Sequence, residues 1–391
     1  MLWLNFLHLY QPVNKDAYII EEATEKSYLR IIRALEEHSN IKFTLNITGC
    51  LFLRWEDLGY LDLIKRIKIL VNKGNLELTG SAAYHPLLPL IPEEETRRQI
   101  KENEEILKKY LGNNFKPKGF FLPELAYSSK VAKIIKSFGY KWILLDEFAY
   151  NGRTEEVDFN EVYRDSYSSL KIIFRSRELS SSYVPELIFQ LLNCGAETSY
   201  PIITATDGEL YGLRHNDPDA IFEKVLKHPK LKTITFSDFV NKHTKIYKIK
   251  PINSSWETTS RDLKNRTPFS LWFNPKNKIQ VKLWELANFA YNLIEKNKKD
   301  KNYSWARWHF VRGLASCTFW WASGRDFRHV FGPVSWGPDE IERGLNEFIR
   351  AIRSLDNPHT KKDKLKAEKM YIKIKSMVWS KHWKKYWPLN S

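Results

Sequence analysis

Two stretches of this 391-residue chain put a carboxylate directly behind an apolar run. GFFLPELAY breaks at Pro123 and is followed by Glu124. PIITATDGELYG ends its run at Asp207, with Gly208 allowing a tight turn before Glu209. A single carboxylate in such a place often caps the next helix. A pair among apolar and aromatic neighbours fits cleavage of a sugar bond. One acid protonates the leaving oxygen, and the other carboxylate acts as nucleophile or base. Partial burial would raise the acid's pKa, while hydrogen bonds keep its partner ionised. Glu209 would orient Asp207 or cap a helix.

More polar residues stand near other strand ends: His8, Tyr10 and Gln11 on the exit of HLYQP, and in LELTGSAAYHPLLP Glu77 at the start and His85 just beyond. Each histidine either meets substrate or is a core residue satisfied by a backbone carbonyl. Aromatic residues make up 14% of the chain, with 14 Trp. Such rings fill cores, and their faces also stack on sugars. Trp256, in SSWETT, and Trp320 and Trp321 are the candidate platforms. Trp305 and Trp308 stand three apart, which reads first as the core face of a helix. No GxGxxG, P-loop or GxSxG pattern occurs, so no nucleotide or other cofactor is expected. No two histidines lie three to five residues apart, so the usual zinc spacings are missing and no metal is expected.

The elements that would position these residues alternate. Residues 2–7, 42–46, 75–78, 118–122, 141–145, 169–174, 201–204 and 233–236 read as strands. Residues 21–37, 60–72, 92–110, 129–138 and 217–226 read as the helices between them. Strands separated by helices predict βαβ units, a largely parallel sheet and, at about seven units, a closed or nearly closed barrel. Chemistry in such a barrel sits at the C-terminal strand ends, where Glu124 and Asp207 fall. From residue 276 the pattern is helical only, over 276–298, 303–323, 339–354 and 361–376. The division expected is a catalytic domain over 1–275 and a helical subdomain over 276–391 that packs on it and completes the cleft.

The formal net charge is +16. Its lysines are spread out, densest over 361–385, which reads as a solvated helical face. No nucleic-acid partner is expected. Three scattered cysteines, Cys50, Cys194 and Cys317, predict no disulfide framework and fit a reducing cytoplasm. The first residues have neither a basic segment nor a cleavage pattern, and no apolar run reaches membrane-spanning length, so no membrane partner is expected.

At these residues the chain resembles glycoside hydrolase family 57, whose five ordered motifs are similar to HLYQP, GNLELTGSAAYHPLLP, FFLPELAY, TATDGELYG and RGLASCTFWWASG. Many members have a second histidine where Tyr10 stands. Amylase-like members often have His, and transferases Glu, where His85 stands. The resemblance implies an irregular (β/α)7 barrel followed by a helical subdomain, with Glu124 as nucleophile and Asp207 as general acid/base. It further implies a retaining enzyme that hydrolyses or transfers α-glucan. His8 and His85 would bond sugar hydroxyls beside the scissile bond, with Gln11, Glu77, Trp256, Trp320 and Trp321 as further substrate contacts. Two readings compete. A metal-dependent polysaccharide deacetylase would hold an ion on distant residues such as His8, His85 and Asp207. A non-catalytic glucan-binding relative would keep the carboxylates without turnover.

Overall fold

Among the described residues ten strands occur: β1 (Leu2–Leu9), β2 (Phe43–Ile47), β3 (Leu76–Leu78), β4 (Gly119–Phe120), β5 (Trp142–Asp146), β6 (Val162–Asp165), β7 (Lys171–Arg175), β8 (Ile202–Asp207), β9 (Lys232–Thr233) and β10 (Ile246–Ile249). The computed structural model describes residues 1–113, 115–195, 200–325 and 335–386. They divide into two compact units, one of residues 1–83 with 88–256, the other of 84–87 with 257–391.

In the first unit β1 and β2 are buried along nearly their whole length, the mark of strands covered on both faces. The described strands form two five-stranded sheets. One runs β3-β2-β1-β8, with β9 also against β1; the other runs β10-β6-β7-β5-β4. Every pairing is parallel except β6 with β7. Two seams join the sheets. At one, Gly80 bridges Phe120 in parallel, its N–H donating to Gly119 O and its carbonyl accepting from Phe121 N, both at 2.9 Å. At the other, Ser176 N donates to Ile203 O at 2.9 Å. The single ring expected from the alternation is thus seen as two sheets with short seams.

Leu4, Phe6, Phe121, Leu125, Trp142, Leu144, Ile173, Ile203 and Phe236 make one buried cluster between the sheets. Phe6 stacks on Phe121 with centroids 5.3 Å apart, and Trp142 on Phe236 at 5.7 Å. Each such ring contributes about 1.5–3 kcal/mol of transfer free energy. At the first seam the packing admits only glycine, because a Cβ on Gly80 would lie 2.1 Å from the Tyr140 hydroxyl oxygen.

The structure departs from the periodicity in particular places. β6 and β10 were not expected. β6 and β7 form a hairpin turned by Asp165, whose side chain accepts from Tyr167 N at 2.9 Å. The helix expected over 21–37 is two, Ala17–Ala23 and Leu29–Glu37, joined by a π-helical turn at Thr24–Tyr28. Of segment 233–236 only Thr233 is in a strand, the two-residue β9, and a helix capped by the Thr235 side chain starts at Phe236.

The second unit is helical: Lys278–Lys296, Tyr303–Gly313, Ser316–Trp320, Pro338–Ser354 and Lys361–Tyr386. The helix expected over 303–323 breaks at Leu314 and Ala315, where Ala315 bridges Pro86. Trp305 and Trp308 are 60% and 42% exposed, which corrects their reading as core. Helix Tyr303–Gly313 buries Ala306, Phe310, Val311 and Gly313 instead. Among the described residues no helix is long and apolar enough to cross a membrane.

Overfilling a tight contact typically destabilises by about 1–3 kcal/mol. Gly80→Ala is therefore expected to lose about that much in equilibrium urea unfolding, and an unchanged midpoint would show that the seam has slack.

Candidate functional site

The parallel pairing of β1 with β8 sets His8 beside Asp207 in register. Both lie at the C-terminal ends of their strands. The His8 ring is 3% exposed. Its Nδ1 shares a 2.9 Å hydrogen bond with Asn46 Oδ1 on β2. The ring stacks on Phe121 at 4.4 Å and meets Trp256 edge-on at 6.3 Å. Burial pushes its pKa down to about 4, against the pull of Asp207, so the imidazole is neutral near neutral pH.

Asp207 is partly exposed and takes Arg214 Nη1 on Oδ2 at 2.9 Å. Gly208 follows because the turn lies against β1: a Cβ there would come 2.8 Å from Leu9 Cδ1. The Ser27 hydroxyl donates to the Gly208 carbonyl. Glu209 then points inward and is 2% exposed. Its Oε1 accepts from Gln11 Nε2 at 2.7 Å and from the Tyr28 hydroxyl at 2.6 Å. Burial, and then the nearby Asp207 charge, push the Glu209 pKa up to about 7. Ser27 and Tyr28 both lie in the π-helical turn, a form often found at functional sites.

Glu124 stands behind β4 on a single 3-10 turn, Pro123–Leu125. Its φ is 61° and that of Leu125 is 47°, two successive non-glycine residues in the left-handed region, each costing roughly 1–2 kcal/mol. The surroundings impose this shape. Leu125 N donates to Leu122 O at 2.7 Å, Tyr127 N to Ser254 O at 2.8 Å, and Trp256 N to Glu124 O at 3.2 Å. The Leu125 side chain is sealed in the core. The carboxylate accepts from Trp256 Nε1 at 2.9 Å on Oε2. Asp207 reaches this group through His8, and Glu124 reaches it through Trp256.

The other candidates are placed as follows. Gln11 is committed to Glu209. Glu77 is not brought to this end of the sheet. Its carboxylate accepts from Thr44 Oγ1 at 2.9 Å and from Ser237 N at 3.0 Å, and Ser237 Oγ accepts from Trp142 at the start of β5. Burial raises its pKa. His85, in the second unit, has a φ of 55°, a carbonyl that accepts from Ser316 N at 2.9 Å, and an Nδ1 at 3.0 Å from Ser316 Oγ. Trp320 and Trp321 meet edge to face at 4.7 Å, both partly exposed. Sequence reasoning missed Tyr28, Arg214 and Arg175. An arginine seven residues after Asp207 is a visible signal for one of them; the others depend on the fold. Among the described residues no group of three His, Cys, Asp or Glu side chains is arranged to hold a metal ion, and Asp207 is already paired with a cation.

Carboxylates at parallel strand ends, a neutral imidazole and an aromatic wall are the parts that glycosidic-bond chemistry uses. The family model of glycosyl hydrolase family 57 matches residues 3–250, and the chain belongs to that family. An α-amylase of Pyrococcus horikoshii is 25% identical over 259 residues, 61% of this chain and 40% of that protein. A 4-alpha-glucanotransferase of Thermococcus litoralis is 24% identical over 264 residues, 62% of this chain and 39% of that protein. The chain thus spans about two fifths of the length of these relatives. The solved structure of 4-alpha-glucanotransferase from Thermococcus litoralis superposes with a TM-score of 0.70 at 19% identity, over 91% of this chain and 59% of that one. A branching enzyme of Thermococcus kodakaraensis solved with glucose gives 0.69 at 16%, over 90% of each.

The Glu209 carboxyl gives a signed prediction. A carboxyl whose folded pKa lies near 7 instead of 4.5 holds more protons folded than unfolded in that window, so it subtracts stability as pH rises through it. The stability of Glu209→Gln relative to wild type is expected to climb between about pH 4.5 and pH 7. Urea unfolding at stepped pH measures this, and a flat difference would mean that Glu209 titrates normally.

Proposed function

We propose that this protein is a retaining, α-glucan-active glycosidase or glycosyl transferase with Glu124 as nucleophile and Asp207 as general acid/base. The observation that carries the reading is the convergence of both carboxylates on the buried His8 and Phe121 rings and the partly buried Trp256, Asp207 by strand register and Glu124 by its bond to the indole. The printed names of the relatives, α-amylase and 4-alpha-glucanotransferase, support α-glucan as substrate. The two sheets and their seams are read as an irregular seven-stranded barrel, β6, β9 and β10 being additions to it.

In the first step Glu124 forms a bond to the anomeric carbon. The glycosidic C–O bond breaks, and its oxygen takes the proton carried by Asp207. In the second step Asp207 removes a proton from water or from a sugar hydroxyl, whose oxygen displaces Glu124. Water gives hydrolysis and a sugar gives transfer. For the first step Asp207 must hold the proton that the leaving oxygen takes. Neutral His8 would supply hydrogen bonds to sugar hydroxyls without adding charge. His85, Trp320 and Trp321 are proposed as further sugar contacts on the chemistry of their rings.

Incubation with maltoheptaose, followed by product separation, tests the reading. Shorter products alone indicate hydrolysis, and longer ones indicate transfer. Asp207→Asn is expected to slow turnover by roughly 10²–10⁴-fold, and Glu124→Gln at least as much, both with wild-type unfolding temperatures. Near wild-type turnover in either variant would overturn the assignment.

A further inference from the structure

Trp256 was expected to be a sugar platform, yet its indole N–H is spent on the Glu124 carboxylate. A cation lies over the same ring. The Arg175 guanidinium, from the end of β7, sits 5.2 Å from the ring centroid. Arg175 is 8% exposed, so its charge needs a buried partner. Asp146, at the end of β5 and 1% exposed, supplies it, Oδ2 accepting from Arg175 Nε at 2.9 Å. Arg175 Nη1 donates to Ala205 O at 2.6 Å, two residues before Asp207 and across the second seam. The other Asp146 oxygen accepts from Arg177 Nε at 2.8 Å. Arg177 in turn donates from Nη2 to Ser255 O at 3.3 Å, next to Trp256 in the chain. Two arginines held by one buried aspartate therefore fix the ring and the backbone just before it.

We propose that Trp256 and Arg175 are positioning residues for Glu124, acting in series: Asp146 pins Arg175, Arg175 fixes and polarises the indole, and the indole N–H orients the carboxylate that attacks. The nucleophilic role rests on the proposed glycosidase reading; the linkage itself is a separate matter of geometry. A guanidinium over an indole face is attracted by the ring's electron density, and draws it away from the N–H, which strengthens the bond to Oε2. Glu124 needs such a hold because its own backbone lies in a sparsely populated region, where a small rotation would swing the carboxylate away from the anomeric carbon. A sugar platform would act through substrate affinity. A positioning residue acts on the step after binding.

The test compares Trp256→Phe, which keeps a ring and removes the N–H, with Arg175→Met, Arg175→Lys and the Trp256→Phe/Arg175→Met double variant. Loss of a hydrogen bond to a charged group is expected to lower kcat on maltoheptaose by roughly 10- to 100-fold, with KM nearly unchanged. Because the two residues work through one bond, the double variant is expected to lose no more than the worse single one. Arg175→Lys, which keeps the charge without the fork, is expected to fall between. Losses that multiply, a rise in KM alone, or wild-type kcat in Trp256→Phe while Glu124→Gln is inactive would overturn the proposal and leave the glycosidase reading standing. A second measurement needs no turnover. In protein labelled with ¹⁵N-tryptophan, the indole resonance absent from Trp256→Phe is expected to shift in both Glu124→Gln and Arg175→Met. If neither variant moves it, the linkage is wrong whatever the substrate. If it moves while wild type leaves maltoheptaose unchanged, the linkage stands and the glucan reading falls.

Discussion

The parallel register between β1 and β8 is the constraint on which the site depends. Side chains alternate faces along a strand, so a slip of one residue would turn His8 and Asp207 to opposite sides. The surroundings oppose such a slip. Gly208 packs against Leu9 with no room for a Cβ, Trp3 Nε1 donates to Thr204 Oγ1 at 2.9 Å across the same pair, and Arg175 grips Ala205 O from the neighbouring strand. These ties are sterically or directionally specific, so together they define one alignment. The position of Asp207 follows from the sheet, and the short turn behind it carries Glu209 inward.

The two carboxylates are held in different ways. Asp207 ends a strand in ordinary extended backbone, and its carboxylate accepts from the surface residue Arg214. Glu124 stands on a strained turn, and its neighbours restrain it. Its backbone is tied to the 254–256 segment, Leu125 is locked in the core, and its side chain is tied to an indole. Strain of this kind survives only where the surroundings over-determine it.

Most of the parallel sheet was legible because its strands are apolar runs bounded by turns, and a buried strand leaves little else to read. β6 and β10 were not, since β6 mixes Tyr163, Arg164 and Asp165, and β10 carries Lys248 and exposed Tyr247. The carboxylates could be found because strand ends can be found. Their partners could not, because Tyr28 reaches Glu209 only through a π-helical turn that no residue pattern announces. Glu77 misled for a related reason. Its carboxylate accepts from Ser237 N at the start of the helix that begins at Phe236, a contact between residues 160 apart in the chain. Trp305 and Trp308 show that spacing gives a shared helix face without saying whether that face is covered.

The left-handed pair at Glu124 and Leu125 also governs how this segment is able to vary over time. Valine or isoleucine in place of Leu125 keeps size and hydrophobicity, and counts as conservative at most core positions. Here the branched Cβ would collide with the backbone at positive φ, so the mildest chemical exchange becomes the harshest conformational one. Asparagine and glycine accept the backbone but leave the core unfilled. Leu125, behind the proposed nucleophile, is thus held to apolar side chains unbranched at Cβ by two unrelated demands.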